Sequence, residues 1–149
     1  TMFIRGSGGG GKKPAVPPDE GQREVVYEES TKVDDDQTQR YAEASGDHNP
    51  IHLDENVARM AGLPGIILHG MCTMAIATKA AVNGIAGGDP TRIKRVGVRL
   101  SKPVFPGQEL TTKLWKESDL DGSTVYGFET YNPEGQAVIK QGVIEIANA

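Results

Sequence analysis

Large apolar residues are nearly absent from Arg5 to Arg23, and the pattern beyond that point falls into three regimes. "REVVYEES" has the β-branched and aromatic content of a strand. "VDDDQTQRYAEAS" follows with a helical pattern. Asp34 is placed to cap it, Gln37 three residues on completes a capping box, and Gly46 ends it. "DENVARMAG" reads as a second short helix, with Asp54 as N-cap and Gly62 just past its end. "LPGIIL" is a loop or a brief extended run. In "HGMCTMAIATKAAVNGIAGGDP" small and apolar residues occupy nearly every side from Met71 to Ile85. A helix apolar almost all round is a buried helix, here roughly 20–25 Å long at 1.5 Å per residue. Gly87, Gly88 and Pro90 stop it. The remainder is β: "RIKRVGVRLSKPV", "ELTTKLWKES", "STVYGFETY" and "QAVIKQGVIEIA", with turns at "FPGQ", "DLDG" and "NPEG". One strand, two short helices, a buried helix and four strands predict an α+β fold, an antiparallel sheet wrapped around one long helix. A lone helix in one curved sheet leaves sheet edges and a helix face open, so a second copy is the expected cover.

Residues 5–22 lack any hydrophobic period and are rich first in Gly and then in Pro, so residues 1–22 are read as a flexible linker and 23–149 as the domain. Gly6, Gly8 and Gly11 fit a dinucleotide-binding spacing, but a phosphate loop needs a strand before it and a helix after it. Only "TMFI" precedes, and Pro14, Pro17 and Pro18 follow. The 149 residues suit one domain, with 37% apolar and 24% charged residues. A net charge of −4 gives no reason to expect nucleic acid as a partner. No apolar run is long enough for a membrane span or a secretory signal, and the terminal Ala-Asn-Ala is no obvious address signal. The single Cys72 excludes an internal disulfide and fits a reducing compartment.

The candidate chemistry lies in "SGDHNPIH", residues 45–52. Taken singly, Asp47 and Asn49 are turn formers that bond backbone amides, and a lone His is more often structural. Together they read differently. His52 supplies a base near neutral pH. Asp47 supplies a second proton carrier if its pocket is dry. Gly70 lets a ligand approach the start of the buried helix, where free N–H groups favour developing negative charge. That set serves proton transfer beside a polarised carbonyl. A metal set of Asp47, His48, His52 and His69 is the rival use, but the spacing matches no metal motif and no Cys supports it. Ser45 is outside any G-x-S-x-G, and Cys72 sits within the apolar helix as a small hydrophobe.

"YAEASGDHNPIHLDENVA" (41–58) followed by "GIILHGMCTMAIA" (65–77) resembles the hydratase-2 motif of the MaoC-like hotdog family. Tyr41, Ser45-Gly46-Asp47, Asn49-Pro50-Ile51-His52, Asp54 and Ala58 fit that motif, and His69-Gly70-Met71 follows at the family's distance. The resemblance covers roughly residues 25–149 and implies a hotdog fold. It further implies (R)-specific hydration of a trans-2-enoyl-CoA to the (3R)-hydroxyacyl-CoA, or the reverse, with no cofactor and no metal. Asp47 and His52 would activate the water, Asn49 would orient it, and the Gly70 amide would bind the thioester oxygen. Alternatives are a 3-hydroxyacyl-carrier-protein dehydratase and a non-catalytic acyl-thioester-binding hotdog. Hotdog thioesterases usually carry an acid on the central helix, and 71–86 contains none. Expected partners are the acyl-CoA substrate and a second copy or another hotdog. The Gly-rich start resembles the joint before the second hotdog of two-hotdog hydratases. The chain is then either the catalytic half of a longer protein or a stand-alone unit, with Thr1 left from processing or cloning. Cytoplasm is the expected location, or the peroxisome if the chain is a eukaryotic fragment. His48 is read as solvent-facing, His69 as either site-lining or a cap, and Arg92, Lys94 and Arg95 as a solvated basic strand rather than a CoA-phosphate site.

Overall fold

A computed structural model describes residues 23–149. The readings of 1–22 as linker and of the Gly6-Gly8-Gly11 spacing lie outside the described residues. Five strands form one antiparallel sheet: β1 (Val25–Lys32), β2 (Ile93–Leu100), β3 (Glu109–Leu120), β4 (Ser123–Tyr131) and β5 (Ala137–Ala147), in the order β1-β3-β4-β5-β2. Between β1 and β2 come α1 (Gln37–Ser45), a 3-10 turn (Pro50–His52), α2 (Glu55–Met60) and the long α3 (Gly70–Gly84). The expected order of elements is observed throughout.

The sheet closes on α3 because its inward side chains are large and those of the helix are small. Leu114, Phe128, Ile139, Ile144 and Ile146 pack on Ala77, Ala80 and Ala81. A second cluster, Val33, Leu68, Cys72, Val104, Leu110 and Val138, surrounds the beginning of α3. Removing these apolar side chains from water is the main stabilising term. Tyr27 lies flat on Gly84, where a methyl group would collide with its ring, and Asn83 bonds Glu29 at 3.1 Å. The C-terminal end of α3 is thereby tied to β1.

Three local readings need correction or extension. The capping box at Asp34 and Gln37 does not form. Helix α1 begins later, with Asp36 in the N-cap position and no side-chain cap. The Gln37 N–H bonds the Asp34 backbone carbonyl at 3.1 Å instead, and the Asp34 carboxylate accepts from Arg40 at 2.7 Å. The "DLDG" turn is tighter than expected. Strand β3 runs to Leu120, so Asp121 and Gly122 alone make the turn, with Gly122 at φ 80°. The helix expected to be buried is covered on one side only. Met71, Met74, Ala75, Thr78 and Val82, spaced three and four residues apart, line an open apolar groove.

Strand β5 contains a device that its sequence pattern conceals. Ile139 and Ile144 both join the core, yet five residues of regular strand would put them on opposite faces. The register slips at this place, and Gln141 takes a left-handed φ of 51°. This is a β-bulge, and it resets the alternation. Gly142 completes it. A Cβ there would lie 2.6 Å from the Phe128 carbonyl oxygen, which the ladder does not allow to move. Gly142→Ala is expected to lower Tm by at least ~5 °C in a thermal melt, the scale of an overpacked core position.

Candidate active site

Residues 45–52 fold as two linked turns followed by the 3-10 turn. Gly46 takes φ 77° and ends α1, its N–H bonding Ala42. The Ser45 hydroxyl accepts the Asp47 N–H at 3.1 Å, Asp47 Oδ1 accepts the Asn49 N–H at 3.1 Å, and Asn49 Oδ1 accepts the Ile51 N–H at 3.3 Å. Asp47 and Asn49 therefore do form the turn, as the plain reading held. Each uses one oxygen for it. The second carboxylate oxygen of Asp47 and the amide nitrogen of Asn49 take no part.

His52 is carried inward by the 3-10 turn and is 7% exposed. Its Nδ1 lies 2.7 Å from the Ile67 carbonyl. A carbonyl only accepts, so Nδ1 carries the hydrogen and Nε2 presents its lone pair. Burial is the largest influence on the ring and lowers its pKa below 6.5, with His69 pushing the same way and the Ile67 carbonyl and Asp47 opposing. Nε2 is thus an available base at neutral pH. His69 is 2% exposed, and its Nε2 donates to the Asp47 carbonyl at 2.9 Å. The two imidazoles stack, with centroids 3.9 Å apart and planes 25° from parallel, and the Tyr41 ring packs against His69 in a tilted contact at 4.7 Å.

A carboxylate oxygen of Asp47 and a ring nitrogen of each of His52 and His69 lie within 4.8 Å of one another. A water held by two hydrogen bonds of about 2.8 Å spans such a gap. The same three groups are the candidate metal set without His48, which is exposed as expected. Ring geometry opposes that use. A metal bonds in the plane of each imidazole, whereas these two rings meet face to face, 25° from parallel, and the His69 Nε2–H is spent on the Asp47 carbonyl.

Gly70 is the first residue of α3, after His69 in the N-cap position. The helical ladder begins with the Cys72 and Thr73 N–H groups on the His69 carbonyl, so those of Gly70 and Met71 have no partner within the helix. Gly70 and His52 both line a cavity of about 510 Å³. Ile51, Leu63, Ile67, Leu68, Leu100 and Val104 form its apolar wall, and Ser101 and Lys102 also line it. The structure thus brings His52 and Gly70 to one cavity, places Asp47 beside His52 on an exposed turn, and leaves Asn49 on that turn. The condition set for Asp47, a dry pocket, is not met by the described residues of this chain. Arg92, Lys94 and Arg95 do not line the cavity, and Arg92 bonds the Ala147 carbonyl at 2.8 Å. Cys72 is buried, and burial pushes its thiol pKa up, consistent with a packing role. Sequence reasoning gave Tyr41 no role and left His69 open. The signal available was the position of His69, one residue before a glycine at a helix start.

The family model of the MaoC-like domain matches residues 18–136. This chain belongs to the MaoC-like domain family. It is 34% identical to the peroxisomal enoyl-CoA hydratase 2 of Arabidopsis thaliana, over 98% of this chain and 49% of that protein. It is 36% identical to the 3-hydroxyacyl-thioester dehydratase Y of Mycobacterium tuberculosis, over 97% of this chain and 51% of the relative. The crystal structure of a MaoC-like dehydratase from Phytophthora capsici superposes with a TM-score of 0.80 at 30% identity, covering 94% of this chain and 48% of that one. The α+β hotdog expectation therefore holds for this MaoC-like chain, and the chain spans about half the length of these relatives. No helix among the described residues is long and apolar enough to cross a membrane.

Proposed function

We propose that this MaoC-like domain, residues 23–149, adds water to a trans-2-enoyl thioester to give the (3R)-hydroxyacyl thioester, and catalyses the reverse dehydration. The observation that carries this is the meeting of the His52 base and the Gly70 helix start in one apolar cavity, with the Asp47 carboxylate close by. The acyl chain lies against the apolar wall. A water sits between Asp47 and His52 Nε2. As its oxygen bonds C3, one of its protons passes to the Asp47–His52 pair, and the electrons of the C2=C3 bond move toward the thioester oxygen. The Gly70 N–H stabilises that oxygen at the start of α3. The pair then returns the proton to C2 on the same face, so one water has been added and nothing else consumed. Asn49 orients the water through its amide. The names of the hydratase and dehydratase relatives support both directions, and the intact pair argues against a non-catalytic module. Incubation with short and medium trans-2-enoyl-CoAs tests the reading. Loss of the conjugated thioester absorbance, with (3R) product on chiral analysis, is expected. No turnover with any enoyl-CoA or enoyl-carrier-protein thioester would overturn it.

A second hotdog copy completes the site in this reading. The open α3 groove is apolar, Asp47 stands exposed, and the matched relatives carry about as much chain again. The chain is expected to be a dimer by light scattering at micromolar concentration. Met74→Lys, which puts a charge in the groove, is expected to shift it to monomer. Wild-type monomer would defeat self-pairing. One relative is named peroxisomal and another is bacterial, so the choice between cytoplasm and peroxisome is left to a localisation experiment on the full-length protein.

A further inference from the structure

His52 and His69 form a reciprocal clasp. His52 belongs to the 47–52 turn and donates to Ile67, in the segment leading into α3. His69 belongs to that segment and donates back to Asp47, in the turn. Between the two bonds, the Ile67 N–H reaches the Ile51 carbonyl at 3.3 Å. The stacked rings fill the space between the two segments. His69 Nδ1 is buried and has no hydrogen-bond partner. With the hydrogen on Nε2 and that N–H taken by the Asp47 carbonyl, the enclosed Nδ1 lone pair is the one polar atom of the ring left without a partner among the described residues. The hydration reading gives this ring no task, although it touches both proton carriers.

We infer that His69 is a positioning residue: its Nε2–H anchors the Asp47 backbone while its ring face covers His52, holding carboxylate and imidazole at the spacing one water bridges. The inference rests on the proposed hydration. Two chemical properties of His69 do separate jobs, and two substitutions separate them. His69→Phe keeps a flat ring against His52 and loses the donor. His69→Gln places an amide N–H near the former Nε2 and loses the stack. The titratable groups around His52 among the described residues are Asp47 on its own turn, His69 across the stack, Lys102 in the wall of the shared cavity, and Tyr41 and Cys72 near His69 and Asp47. Of these, only His69 is altered by the test.

The experiment is the pH dependence of enoyl-CoA hydration by the full chain and both variants. In His69→Phe, kcat is expected to fall ~10–100-fold with KM nearly unchanged, the scale of a misplaced catalytic group. Its acid limb should move up less than that of His69→Gln, because His52 remains covered and only the charge influence of His69 is lost. In His69→Gln, kcat should recover to within ~5-fold of wild type. Its acid limb should move up toward pH 6.5, because water reaches one face of His52 and relieves the burial that lowers its pKa. Wild-type kcat in His69→Phe, or equal losses in both variants that track their melting temperatures, would overturn the inference. Should His69→Phe not fold, nitrogen NMR of the wild-type chain decides: hydrogen on His69 Nε2 and on His52 Nδ1 supports the clasp, and hydrogen on His69 Nδ1 refutes it. An inactive wild-type chain with the expected tautomers would sink the hydration reading and leave the clasp itself standing.

Discussion

Asp47→Asn is expected to lower hydratase turnover at least ~100-fold, and His52→Ala to do the same. Asn at 47 keeps an oxygen for the Asn49 N–H, so the turn survives while the proton carrier is lost. His52→Ala also strips the Ile67 carbonyl of its donor inside the protein, which costs roughly 1–3 kcal/mol of stability. His52→Asn is therefore the sharper variant: its amide can still reach Ile67, and no base remains. The double variant Asp47→Asn/His52→Asn should be little worse than either single one, because groups that act on one water as a unit are not additive. His48→Ala, one residue along and exposed, should be nearly neutral. Because burial places the His52 pKa below 6.5, wild-type activity should persist below that pH and fail only when the ring takes a proton. Near-normal turnover in folded Asp47→Asn would eliminate the paired mechanism.

Gly70→Ala is expected to lower kcat/KM ~10–100-fold in a folded protein. The added methyl would stand 2.5 Å from Leu100 Cδ1, and both residues line the cavity. Leu100 can swing away, so the fold should tolerate the change. The displaced side chain then intrudes where the thioester must meet the Gly70 N–H. A misplacement of about 1 Å can cost 10²-fold. Leu100→Ala in the same background should restore part of the loss by returning the space. Wild-type kcat/KM in Gly70→Ala would show that the thioester does not approach this end of α3.

The fold was largely legible because most of its signals are local. Alternating strands, Asp54 capping α2 through Asn56 and Val57, and an uninterrupted small-residue helix all appear within a few residues of one another. The misreadings came where a longer-range partner intervened. The Asp34 carboxylate bonds Arg40 rather than a cap amide. Within β5 only Gly142 hints at the bulge, and its close approach to Phe128 across the ladder is what makes that glycine necessary.

The candidate site divides in the same way. The sequence by itself determined that Asp47 and His52 share one turn, that Asn49 and Asp47 can brace it, and that a glycine opens the long helix. Those relations span at most a few residues, and turn chemistry governs them. Only the tertiary structure decided that His52 turns inward and exposes Nε2, because its tautomer is set by a carbonyl 15 residues away. It alone brought Gly70 to the same cavity and gave His69 its place, through a bond to Asp47 across 22 residues. It also left one stripe of α3 and the Asp47 turn open. An apolar pattern states that a helix must be covered; which sides one sheet can reach is fixed by the sheet's curvature and by what packs against it.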